Sequence, residues 1–170
     1  MKLCDRLQVL TSIAQKNPGI GKTAMMKSMF FLQTIYNVPL DYQFEIYTYG
    51  PYSSEVMEEL DFARQLGMID IKWTNYPNGL HGYSILASND DLVKTNYDNE
   101  IDKVISAFGS KTARELELLS TVLFVDRAHS TNKWNTEKTS ICAEVQEIKP
   151  RFSMHEIEHG YDFMKTNHYI

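Results

Sequence analysis

The stretch Tyr47-Thr48-Tyr49-Gly50-Pro51-Tyr52-Ser53 runs directly into the helical pattern Ser54 to Leu66 and then into Gly67-Met68-Ile69. An aromatic strand, a hard turn, a capped helix, a glycine stop and a new strand, in that order, are the local grammar of a winged-helix domain.

The flanking sequence extends the pattern. Leu3, Leu7, Leu10, Ile13 and Ala14 predict a first helix that ends before Asn17-Pro18-Gly19. A second begins near Gly21-Lys22-Thr23, with Met25, Met29, Leu32 and Tyr36 on one buried face and Met26, Phe30 and Ile35 widening it. The methionines fit adaptable core filler better than a ligand-gripping box. Tyr42, Phe44 and Ile46 alternate as a strand, and the phase then slips to Tyr47, Tyr49 and Tyr52, so Gly50-Pro51 is expected to turn the chain. Ser53 is the expected N-cap of the third helix, with Val56, Leu60, Ala63 and Leu66 or Gly67 as its buried stripe. Ile69, Ile71 and Trp73 predict a half-buried strand, Tyr83 to Ala87 its return, and Asn78-Gly79 the tight turn of the wing between them.

Ser88-Asn89-Asp90-Asp91 breaks the pattern and places a boundary, giving a winged-helix-like domain at 1–88 and a helical region at 89–170 packed against it, or one compact domain. The later helices are expected at Glu100 to Phe108, Thr112 to Arg127, about Thr136 to Ile148 and Ser153 to Asn167. Leu116, Leu119, Val122 and Leu123 make the second of these amphipathic, and Ser153 with Glu156 has the spacing of a capping box. The fold class is thus α+β: helix, helix, strand, helix, strand, wing, strand, then a C-terminal helical half.

Composition narrows the function. No apolar run reaches the roughly 18 residues of a membrane span, and the start of the chain lacks a signal-peptide core, so a soluble cytoplasmic protein without membrane partners is expected. Cys4 and Cys142 are too few for a disulfide framework or thiolate zinc site and are expected to be reduced and structural. A net charge of −5 disfavours strong phosphate-backbone binding.

Lys22 and Lys27 with Phe30-Phe31-Leu32-Gln33, the segment Tyr47 to Ser53, and Leu60 to Ile69 together resemble the YwgA-like proteins, a bacterial and archaeal group related to the SocA-like Panacea antitoxin domains. Leu116 to Thr121 and Lys149-Pro150-Arg151-Phe152-Ser153 are similar to that group's C-terminal half. The resemblance implies a winged-helix-like fold and, from the Panacea members, neutralisation of a toxin through protein contact.

Three motifs invite chemistry. Gly19-Ile20-Gly21-Lys22-Thr23 has the tail of a phosphate-binding loop and Leu123-Phe124-Val125-Asp126 its acidic partner, but Lys16 stands where the first glycine belongs and a helix, not a strand, feeds the loop. His155-Glu156-Ile157-Glu158-His159 is an H-E-x-x-H sequence, which on a helix sets two imidazoles on one face for zinc with Glu156 as general base. Only 15 residues follow His155, and Asp162 and Lys165 occupy the places of the longer motif's glycine and third histidine, which leaves His168 as the remaining ligand candidate. A solvated helix face is the plain alternative. The third helix, which would enter a DNA groove, is expected to face outward with Glu55, Glu58, Glu59 and Asp61 against Arg64, while the wing offers Lys72 and His81. DNA binding would then fall to Lys22 and Lys27.

Five aromatic residues between Tyr42 and Tyr52 remain. Phe44 and Trp73 are expected in the core, and Tyr47, Tyr49, Gly50, Pro51, Tyr52 and Ser53 at a partner-binding surface. The expected function is a non-enzymatic regulatory or antitoxin-like module, with no cofactor, no metal and a protein partner such as a toxin. The alternatives are a winged-helix transcription regulator and a zinc hydrolase using His155 and His159.

Overall fold

Asn17 and Gly19 end the first helix and send the chain into a sheet. In the computed structural model, which describes every residue of the chain except Tyr76, Pro77, Asn78, Leu80 and Asp90, α1 (Leu3–Lys16) is followed by Gly19 at φ +83° and the short strand β1 (Ile20–Gly21). Then come α2 (Lys22–Ile35), the hairpin β2 (Glu45–Tyr47) and β3 (Gly50–Tyr52), α3 (Ser54–Gln65), β4 (Ile69–Asn75) and β5 (His81–Ala87). Four further helices complete the chain: α4 (Asp98–Phe108), α5 (Ala113–Asn132), α6 (Lys138–Ile148) and α7 (Met154–Thr166). The chain is α+β, and its C-terminal half is helical.

β1 pairs antiparallel with β5, and β5 with β4, in the order β1-β5-β4. That is the winged-helix arrangement: the strand between the first two helices joins the wing hairpin. Periodicity misses β1, because two residues are too few to show alternation. The wing turn at Asn78-Gly79 falls partly outside the described residues.

The described residues fall into two compact units. The first holds Met1–Glu45 and Tyr52–Lys111; the second holds Ile46–Pro51 and Thr112–Ile170. This division does not follow the break expected at residue 88, since α4 packs on α1 and α2 and so belongs to the first unit. Ile101, Val104 and Phe108 of α4 are buried there, with Phe108 stacked on Phe31 at 4.0 Å. Met25, Met29, Phe31 and Leu32 of α2 and Leu10 and Ile13 of α1 fill the rest of that core, each large apolar side chain contributing about 1.5–3 kcal/mol.

α3 is stopped as its sequence predicts. Gly67 has φ +69°, its N–H donates to the carbonyl of Arg64, and Met68 N–H reaches back to Ala63, the paired bonds of a Schellman ending. Its beginning differs from expectation. Ser53 flanks α3, but its hydroxyl makes no capping bond; Oγ is buried without a hydrogen-bond partner while the N–H points at Met26 Sδ, 3.4 Å away. Leu66 is exposed and drops out of the stripe.

The second unit packs α5, α6 and α7 on one another. Capping boxes open two of them: Thr112 with Glu115 on α5, and Ser153 with Glu156 on α7. α5 runs past the expected Arg127 to Asn132, and Lys133 closes it at φ +58°.

Candidate functional site

The aromatic turn is a hairpin whose bend lies at Thr48-Tyr49, so Gly50-Pro51 opens the second strand and does not itself turn the chain. Tyr42 and Phe44 precede the strand. Gly50 has φ +84°, and a Cβ placed on it would lie 3.1 Å from Ser120 Oγ, 3.1 Å from Thr121 Oγ1 and 3.3 Å from the Glu117 carbonyl, all on α5. Only glycine meets both demands without strain.

A buried charge cluster holds this turn. Lys149 Nζ donates to the carbonyl oxygens of Tyr47 at 2.8 Å and Thr48 at 2.7 Å. The same ammonium faces one carboxylate oxygen of buried Glu117 at 3.3 Å, and Arg151 pairs with the other. The Arg151 guanidinium also lies over the Tyr49 ring, 5.5 Å from its centroid, and Arg114 lies over Phe152 at 4.2 Å while pairing with Glu156 at 2.9 Å. Both arginines are thus engaged by carboxylates.

Gly50 and Pro51 are buried, whereas Tyr47 is 67% and Tyr49 58% exposed. The backbone of the turn is fixed and its tyrosines stand outward. Tyr52 and Ser53 belong to the first unit, where Tyr52 is exposed and Ser53 buried. Sequence reading misses Glu117, Lys149 and Arg151. A signal exists for the first, since Glu117 is the lone charge in the run Leu116 to Val125.

In the first unit, Glu59 turns inward against expectation. Its carboxylate accepts from Tyr42 Oη at 2.5 Å and pairs with Arg6 at 2.5 Å. Desolvation, then the hydrogen bond to Glu59, raises the Tyr42 phenol far above its ordinary range. Leu3, Arg6, Glu55, Glu58, Glu59 and Phe62 line an open cleft of about 320 Å³ beside this triad. Trp73, expected in the core, is 63% exposed on β4, where its ring crosses Tyr83 of β5 edge-on at 5.0 Å. Phe44 is half-buried against Phe30 and Tyr42.

The cations proposed for DNA are otherwise occupied. Lys27 is buried, Lys22 sits over the Tyr83 ring at 4.6 Å, and Lys72 pairs with Asp70 at 2.7 Å. With Glu55, Glu58 and Asp61 on α3, a phosphate backbone would meet net negative charge there.

His155 and His159 are exposed on α7, and among the described residues no three His, Cys, Asp or Glu side chains converge for a metal. Glu156 is committed elsewhere. Its carboxylate pairs with Arg114 and accepts from Ser153, which lowers its pKa to about 2, too acidic to act as a general base near neutrality. Cys142 is buried, but Cys4 is exposed and fills no core. Among the described residues, no helix is long and apolar enough to cross a membrane.

No protein-family model and no curated protein matches this chain.

Proposed function

We propose that this chain is a non-enzymatic, cytoplasmic regulatory module of YwgA-like, Panacea-related type that binds a protein partner through the Tyr47–Pro51 turn. The observation that supports it is the pairing of two exposed tyrosines with a backbone clamped by Lys149. Tyrosine offers a large amphipathic contact at small entropic cost, and a turn already ordered loses little more on binding. The motif resemblance adds the antitoxin role, in which the partner is a toxin.

A photo-reactive phenylalanine analogue placed at Tyr49, or at exposed Trp134 as control, tests the surface in cells of the source organism. An adduct specific to position 49 identifies the partner, and Tyr47→Ser/Tyr49→Ser should then weaken its binding by about tenfold or more with an unchanged unfolding midpoint. For the antitoxin role, the wild type restores growth to cells expressing that partner and the double variant does not. Absence of a position-specific adduct, or equal binding by the variant, refutes the assignment.

A further inference from the structure

His129, near the end of α5, is 6% exposed and has oxygen against both ring nitrogens. Nδ1 lies 2.5 Å from the Asn135 carbonyl, and Nε2 lies 2.6 Å from a carboxylate oxygen of Glu144 on α6. A carbonyl oxygen only accepts, and a neutral imidazole has one N–H and one lone pair. With a single ring proton and an ionised Glu144, one of these short contacts sets lone pair against lone pair. We propose that His129 and Glu144 hold one additional proton between them, and that this proton is a pH-operated latch tying the α5–α6 connection, residues 133–137, to the end of α5.

The connection depends on that ring. Trp134 N–H donates back to the His129 carbonyl at 2.9 Å, and its indole stands edge-on to the imidazole, 5.4 Å between centroids. Asn135 Oδ1 accepts from Glu137 N–H at 2.9 Å, which carries the constraint to the residue that precedes α6. The charges facing His129 are Glu144 from α6 and Asp126 from α5; Asp126 is itself offset by Arg127 and by Lys165 of α7, with Tyr161 of α7 nearby.

The bond to Glu144 raises the His129 pKa most, followed by that to Asn135, against an opposing desolvation. A raised folded-state pKa means the latch contributes fully below the ordinary value of 6.5 and is lost as pH rises through the folded value.

Trp73→Phe leaves Trp134 as the one tryptophan, so its emission reports the latch. Emission and Trp134 amide exchange are followed from about pH 5 to about pH 9, with circular dichroism recording helix content. One emission midpoint above 6.5 is expected, with Trp134 exchange accelerating through it beyond the intrinsic effect of pH; each unit of separation represents about a tenfold preference for the closed form. Glu144→Gln should lower the midpoint. If that variant unfolds, the His129 ring-proton NMR titration of the parent replaces it, and its midpoint must again exceed 6.5. A midpoint at or below that value, one indifferent to Glu144→Gln in the folded protein, or exchange that stays flat through it overturns the proposal.

Discussion

Lys149 and Tyr47, 102 residues apart, are joined by a 2.8 Å hydrogen bond from the ammonium to a main-chain carbonyl. The lysine is buried and neutralised by Glu117, so it serves as a fastener for backbone and not as a surface charge. Lys149→Met should therefore cost about 3–5 kcal/mol, because it strips a buried carboxylate of one of its two cations. Lys149→Met combined with Glu117→Leu should recover part of that loss in urea unfolding, whereas additive losses would show that the pair is not coupled.

Two glycines share a left-handed backbone and differ in surroundings. Gly67 has nothing within 4 Å of a built Cβ, while Gly50 abuts α5. Gly67→Ala should cost about 1–2 kcal/mol from backbone strain alone. Gly50→Ala adds overpacking and should cost about 2–4 kcal/mol; equal losses in denaturant titrations would mean that the contact with α5 relaxes freely.

Ser53→Ala should be neutral, or stabilise by up to about 1 kcal/mol, since it removes a buried hydroxyl that has no partner. A loss of about 1 kcal/mol would restore Ser53 as a cap in solution.

Tyr42→Phe deletes a hydrogen bond to the buried Glu59 carboxylate and should cost about 1.5–3 kcal/mol. Thermal unfolding checks this. The phenol itself should stay protonated in ultraviolet difference spectra at alkaline pH where a free tyrosine phenol ionises.

Glu156 should titrate near pH 2 by carboxyl NMR, and Arg114→Ala should move it up towards the ordinary 4.5, because the Arg114 bond is the largest cause of the shift. A depressed folded pKa contributes stability in full above the unfolded value and loses it as pH falls to the folded one, so the start of α7 should loosen progressively from about pH 4.5 down to about pH 2. A midpoint near 4.5 in the parent would release Glu156 from the cap.

Much of the fold was legible because it rests on local rules. The period of Leu3 to Ala14, the glycine after Leu66 and the Ser153–Glu156 spacing each act within one or two turns, and α1, the Schellman ending and the α7 box follow from them. The candidate site was legible only at its glycine and tyrosines. Glu59, Lys27, Glu117 and Lys149 are charged residues inside the structure, and helical periodicity assigns charge to the outside. Their burial depends on partners remote in sequence, such as Tyr42 for Glu59 and the Tyr47 carbonyl for Lys149. Trp73 failed the other way: alternation gives the face of a strand but not whether anything packs on that face.

Because Ile46–Pro51 belongs to the second unit while its neighbours on both sides belong to the first, the chain visits the second unit for six residues long before α5 to α7 exist on the ribosome. A fragment beginning at Thr112 lacks the strand that Lys149 grips, and one ending at Lys111 carries that strand without its anchor. During synthesis about 100 further residues must follow Tyr47 before Lys149 is made and can secure it. The Lys149 bonds to the Tyr47 and Thr48 carbonyls are therefore out of reach of any chain that stops before residue 149.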